Sequence, residues 1–181
     1  MVTPAAPELQ LLPAQPGDYA VLPGWIPDAT ACARWAGPLL KFPLNPATLA
    51  EDLAVGGSTS YFLRTADAAA GAEASATRPP LRLLGFGQHR IITPGAVHLG
   101  RILIAPGARG NGLGRVLCTR LIVRAVAATG AAHVTLRVYR DNPAAIALYQ
   151  QLGFEIIAAE SDEAVFFMRA SVAAITQNAQ A

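Results

Sequence analysis

Residues 105–116 read A-P-G-A-R-G-N-G-L-G-R-V, with Gly110, Gly112 and Gly114 at alternate positions between Arg109 and Arg115. Glycines so spaced let main-chain N–H groups close around a phosphate. A helix opening directly after them adds unpaired amides and the positive end of its dipole. Each amide-to-anion hydrogen bond contributes about 1.5–3 kcal/mol. The dinucleotide fingerprint G-x-G-x-x-G does not fit, because position 115 is Arg115. Nor does the phosphate loop G-x-x-x-x-G-K-[ST], since the only lysine of the chain is Lys41. R-x-x-G-x-G, from Arg109 through Asn111, Gly112 and Leu113 to Gly114, does fit.

The charge around the loop suits an anion. Residues 74–140 hold ten arginines and no acid, although the whole chain of 181 residues carries a net charge of only +2. Residues 1–73 hold seven acids and three bases, and residues 141–181 five acids and one arginine. A basic block between acidic ones favours an anionic ligand in the middle. Few aromatics interleave with the arginines, so nucleic acid is not the expected partner. His89, His98 and His133 are the groups whose ordinary pKa suits proton transfer near neutrality. Cys32 and Cys118 are too few for a disulfide framework or a zinc site, and no metal is expected.

The elements that must position these residues follow from pattern. Segments 8–13, 61–65, 81–92 and 97–105 read as strands, the last two joined at T-P-G. Asn45-Pro46 signals a helix through about residue 55. From 112 to 129 the period becomes helical: Leu113, Leu117 and Leu121 lie four apart, Val116, Val123 and Val126 widen the stripe, and Gly130 ends it. Residues 134–139 form a strand, and Asn142-Pro143 caps and opens a further helix ended by Gly153. Segments 154–159 and 164–169 are the last strands. Residues 66–80 read as a mobile loop and residues 171–181 as a fraying tail. With 52% apolar residues, the chain suits one domain over 1–181, α/β or α+β, with a single mixed sheet. No run of 18 apolar residues lacks a charge, and the N-terminus lacks the features of a signal peptide. No membrane span is expected, and the cytoplasm is the expected compartment.

I-L-I-A-P-G-A-R-G-N-G-L-G-R-V-L followed by T-L-R-V-Y-R-D-N-P-A-A-I-A-L-Y-Q-Q-L-G-F resembles the two best-marked motifs of the GCN5-related N-acetyltransferase superfamily, in order and spacing. The resemblance covers about residues 97–155. It implies an α+β fold in three layers, with a mixed, mostly antiparallel central sheet flanked by helices. A splayed strand pair would form the acetyl-CoA cleft. The loop would hold the pyrophosphate of coenzyme A, and the backbone of Ile102, Leu103 and Ile104 would pair with the pantetheine arm. An N–H near Leu103 would polarise the thioester. The resemblance also makes Asn142 a coenzyme contact as well as a cap, and Tyr149 the acid, or the orienting group, for the departing thiolate.

What the family implies for the acceptor thins out here. Many relatives that acetylate protein N-termini carry a glutamate where this chain has Arg137. A small-molecule amine or amino acid is therefore expected over a protein N-terminus. His89, by strand alternation, is the candidate base, with ordered water or the free-amine fraction as alternatives. Trp25, Trp35 and Phe42 either wall an acceptor pocket or pack as core. The acidic N-terminal third suits a cationic amine, whereas Arg137 suits one with a carboxylate, and sequence leaves both open. The expectation is direct acetyl transfer in a ternary complex, by a monomer or homodimer. The alternative is a non-catalytic module that binds acetyl-CoA.

Overall fold

The computed structural model describes residues 8–38, 40–66 and 81–178. All but the first residue of the loop expected at 66–80 lies outside this set, as do residues 179–181. Seven strands are described: β1 (Leu9–Pro13), β2 (Thr59–Ala66), β3 (Leu81–Thr93), β4 (Ala96–Ile104), β5 (His133–Tyr139), β6 (Glu155–Ile156) and β7 (Val165–Ser171). They form one sheet in the order β1-β2-β3-β4-β5-β7-β6. Every neighbouring pair is antiparallel except β4 and β5. The mixed, mostly antiparallel sheet expected from sequence is the one observed.

Helices cover both faces. On one face α1 (Leu22–Trp25), α2 (Ala29–Ala36) and α3 (Leu49–Leu53) pack Leu22, Cys32, Leu49 and Leu53 against Phe62 and Phe86. On the other lie α4 (Leu113–Thr129), α5 (Pro143–Gln151) and α6 (Val172–Asn178). Their Leu117, Leu121, Tyr149 and Ile175 join Leu63, Leu99 and Leu136 of the sheet. Leu117 and Leu121 are fully buried, each contributing roughly 1.5–3 kcal/mol. α4 can lie this close to β3 because β3 offers two glycines to it. A Cβ on Gly85 would stand 2.9 Å from Ile104 Cδ1 and 3.1 Å from the Leu103 carbonyl, and one on Gly87 2.8 Å from Leu121 Cδ2.

Four expectations change. Val123 is exposed, because a helical period of about 100° per residue places Cys118, Ile122 and Ala125 beside Leu117 and Leu121 and turns Val123 away. The helix expected from Asn45 begins at Leu49: Asn45 Oδ1 accepts from the N–H of Ala47, a turn rather than a helix cap, and Gly56 and Gly57 at φ 65° and 69° terminate the segment. β6 covers only Glu155–Ile156, since the Ser161 hydroxyl accepts from the Phe167 N–H and a 3₁₀ turn at Ala158–Glu160 follows. The tail expected to fray from 171 forms α6 instead. There Ser171 Oγ accepts from the N–H of Ala174 (3.1 Å), a cap that starts a helix, and Ile175 is buried.

Candidate active site

The glycine loop leaves β4 through a 3₁₀ turn at Pro106–Ala108 and enters α4. Gly110 and Gly112 have φ of 80° and 71°, a region that costs other L-residues about 1–2 kcal/mol. A Cβ would meet nothing within 4 Å at either position, so glycine is needed there for conformation rather than room. Gly114 is different, since a Cβ would stand 3.4 Å from Leu148 of α5. The amides of five consecutive residues, Gly110, Asn111, Gly112, Leu113 and Gly114, donate to no acceptor among the described residues. Hydrogen bonding resumes at Arg115, whose N–H reaches the Gly112 carbonyl. Asn111 braces the loop by donating from Nδ2 to the carbonyls of Ala108 and Arg109. Arg109 folds back, its Nε donating to the Ile104 carbonyl (3.1 Å), and Arg115 donates to Gln151 Oε1 (3.3 Å). The arrangement leaves unengaged amides at a helix N-terminus, which suits an anion, with Arg109 and Arg115 flanking them.

Upstream, β4 and β5 pair only from Ala96–His133 to Leu99–Leu136 and then part. The parting coincides with an irregularity in the β3–β4 register between Phe86 and Gln88, where Arg101 takes φ 51°. The Trp35 indole on α2 donates to the Arg101 carbonyl (2.8 Å) and fixes this kink from above. Amide direction alternates along a strand. The Ala105 N–H donates to Leu84 on β3, so the N–H of Leu103 turns toward β3 too, whereas those of Ile102 and Ile104 face the opening. The Ile104 carbonyl, which accepts from Arg109, confirms that direction.

The opening holds a cleft of about 120 Å³ whose walls include Leu99, Ile102, Tyr139, Asn142 and Tyr149. Asn142 caps α5, its Oδ1 accepting from the Ala145 N–H (3.2 Å). Two helical turns on, Tyr149 stands with its ring buried edge-on to Phe154. Its hydroxyl bonds to nothing among the described residues. Burial, with Cys118 adjacent, raises the phenol above its ordinary pKa and keeps it protonated. The same burial pushes the Cys118 thiol up to about 12, making it an inert core group.

A second depression of about 290 Å³ adjoins the cleft and shares Arg34, Trp35, Arg101 and Arg137 with it. Gln88 lies at its floor, donating to Ser60 Oγ and the Leu53 carbonyl. Arg101 Nη1 donates to Gln88 Oε1 at 2.6 Å. His98 is buried and shares a hydrogen bond with Thr135 Oγ1 (2.9 Å). Burial, with the charges of Arg90 and Arg137, lowers its pKa to about 4. His89 borders the depression, but its ring stacks on Tyr61, Nε2 standing 3.4 Å from the tyrosine hydroxyl. Its register partner is Leu99, and Tyr61 and Leu99 both belong to the α4 core, so the ring points to that face. Burial lowers its pKa. Across the mouth, Arg34 of α2 pairs with Asp141 at 2.5 Å and lies over the Tyr139 ring. Trp25 packs on Phe62 as core and Phe42 is exposed, which leaves Trp35 as the aromatic of this wall.

The structure thus gathers Ile102, Asn142 and Tyr149 in the walls of one cleft, with Ile104 and the loop following Ile102 along the chain, and turns the ring of His89 to the α4 core. Of the three aromatics weighed for the pocket wall Trp35 is the one that lines it, whereas Arg101 and Gln88 were passed over in the sequence. The signal was the Gly100-Arg101 interruption of an apolar strand, which marks a bulge.

The model of the acetyltransferase (GNAT) family matches residues 54–154, more than half of the chain. Mycothiol acetyltransferases from Gordonia bronchialis (43% identical over 81 residues) and Saccharopolyspora erythraea (43% over 72) align with 41% and 40% of this chain. The aligned segments span about a quarter of the length of those relatives. Among solved structures, spermidine N-acetyltransferase from Vibrio cholerae in complex with CoA and spermine superposes with a TM-score of 0.71 at 17% identity, over 93% of this chain and 98% of that one. AAC(6')-Ib in complex with ribostamycin and coenzyme A gives 0.67 at 18%, over 93% and 96%. At those identities the likeness is one of fold.

Proposed function

The chain belongs to the acetyltransferase (GNAT) family, and from that premise we propose that it transfers an acetyl group from acetyl-CoA directly to the amine of a small molecule. The observation that carries the reading is the run of five unengaged amides at the mouth of α4, in the loop that follows the strand parting from β5. The coenzyme pyrophosphate accepts from those amides. The pantetheine arm lies along the cleft-facing N–H and C=O groups of Ile102 and Ile104, past Asn142.

In the ternary complex the amine nitrogen attacks the thioester carbonyl carbon, the C–N bond forms and the C–S bond breaks. A cleft-facing amide of Ile102 or Ile104 donates to the carbonyl oxygen as negative charge develops there. Tyr149 donates a hydrogen bond to the departing sulfur. Its phenol is pushed above a normal ~10, whereas an ordinary thiol titrates near ~8.5. Outright transfer from Tyr149 would leave a buried phenolate more basic than the thiolate it served. The proton that neutralises the thiolate therefore comes from the amine that has lost it, through water. No carboxylate lines either depression among the described residues, and His89 faces the opposite core, so the amine enters in its free form.

Release of thiol from acetyl-CoA, measured against a panel of small amines with the products identified by mass, tests the reading. Acceptor-dependent release supports it. Binding of acetyl-CoA without release by any amine would make the chain a non-catalytic module instead.

A further inference from the structure

We infer that the acceptor is an amine that also carries an anionic group, carboxylate or phosphate, seated on Arg90, Arg101 and Arg137; this rests on the acetyltransferase reading above. The depression beside the cleft takes these three arginines and Arg34 into its wall, and no Asp or Glu among the described residues. Arg34 is already matched by Asp141. The other three have no ion pair among the described residues. Arg101 is the least satisfied: Nη1 donates to Gln88 Oε1 and the Leu53 carbonyl, both neutral, while Nε is buried with no hydrogen-bond partner. Arg137 is exposed and lies 5.3 Å from the Phe167 ring.

These cations crowd one another. Burial first, then the charge of Arg90, lowers the pKa of Arg101, and Arg90 and Arg137 both disfavour protonation of His98. The carboxylate of Asp162 feels Arg137 and Arg140 but is held mainly by the N–H groups of Ala164 and Val165. Like charges brought together around half-buried donors are stabilised by an anion from outside, and guanidinium groups match carboxylate and phosphate oxygens two at a time. A purely cationic amine such as spermine would instead add to the repulsion. The amine of an anionic acceptor would point from this depression into the adjoining cleft, where the two share Arg101 and Arg137.

The test compares matched acceptors in thiol release from acetyl-CoA: an amino acid against its amide, an amino sugar against its phosphate, and spermidine. The expected result is a kcat/KM about tenfold or more higher for the anionic member of a pair. The pair that shows it distinguishes carboxylate from phosphate. Arg137→Gln, at an exposed position, is expected to narrow that ratio through KM while the KM for acetyl-CoA holds. Preference for spermidine or the neutral members overturns the inference and leaves the acetyltransferase reading standing. Failure of any amine to release thiol, or to shift the melting of the acetyl-CoA complex, overturns both.

Discussion

Tyr149 is the side chain on which the proposed chemistry turns, and its setting defines what it does. Burial holds the phenol protonated, and in the proposed reaction it would donate a hydrogen bond to sulfur rather than act as a strong acid. Tyr149→Phe removes that bond while keeping the ring against Phe154, so kcat is expected to fall about ten- to a hundredfold with the affinity for acetyl-CoA little changed. Steady-state kinetics with coenzyme titration check both halves. His98 makes a different residue-scale prediction. Its pKa is depressed from 6.5 to about 4, so above the upper value it is neutral in both folded and unfolded chains and has no effect. As pH falls between the two values the unfolded chain takes up the proton and the native one does not, and stability is lost. The loss approaches about 3 kcal/mol near the lower pKa. Melting curves from pH 7 to 4 are expected to fall more steeply for the native protein than for His98→Gln.

At the scale of elements, the loop, the parted strands and the close approach of α4 to β3 act together. Gly85→Ala would drive a methyl into Ile104 and the Leu103 carbonyl, costing about 1–3 kcal/mol in denaturant unfolding. The substitution pushes on β4 where the coenzyme would lie, so weaker acetyl-CoA binding is expected alongside. Gly112→Ala imposes strain of about 1–2 kcal/mol at φ 71° and should weaken acetyl-CoA binding about tenfold. Much of this framework is legible in local sequence. Gly112 and Gly130 bracket α4, Asn142-Pro143 opens α5, and the Arg109–Gly114 spacing marks the loop, because each is local chemistry along a few bonds. Arg101 and Gln88 were not legible, since what they touch is set by a strand irregularity and by α2 and α3, far away in the chain. Alternation along β3 is intact, but it sets His89 with Gly85 and Gly87 on the α4 face and Gln88 on the face of the depression, so the ring stacks on Tyr61. Val123 missed for a plainer reason: two residues past Leu121 it is turned about 160° from that side chain around the helix.

At the scale of the whole molecule, α2 forms one wall of the second depression, and two ion pairs tie the N-terminal segment to the rest of the chain. Arg34–Asp141 lies at the surface, whereas Arg64 and Asp18 make a close, largely buried contact. Asp18→Ala strands the Arg64 guanidinium in the core, where Nε already lacks a partner, and is expected to cost about 3–5 kcal/mol in unfolding experiments. The charge pattern of the chain gains a reading at this scale as well: the acid-free stretch 74–140 contains both the loop proposed for the coenzyme and three of the four arginines of the second depression. The central claim is that this arrangement holds acetyl-CoA across the loop and the parted strands. Calorimetric titration of acetyl-CoA into the full chain tests it most directly. The account predicts saturable one-to-one binding, weakened in Gly112→Ala; absence of binding at millimolar acetyl-CoA would contradict it.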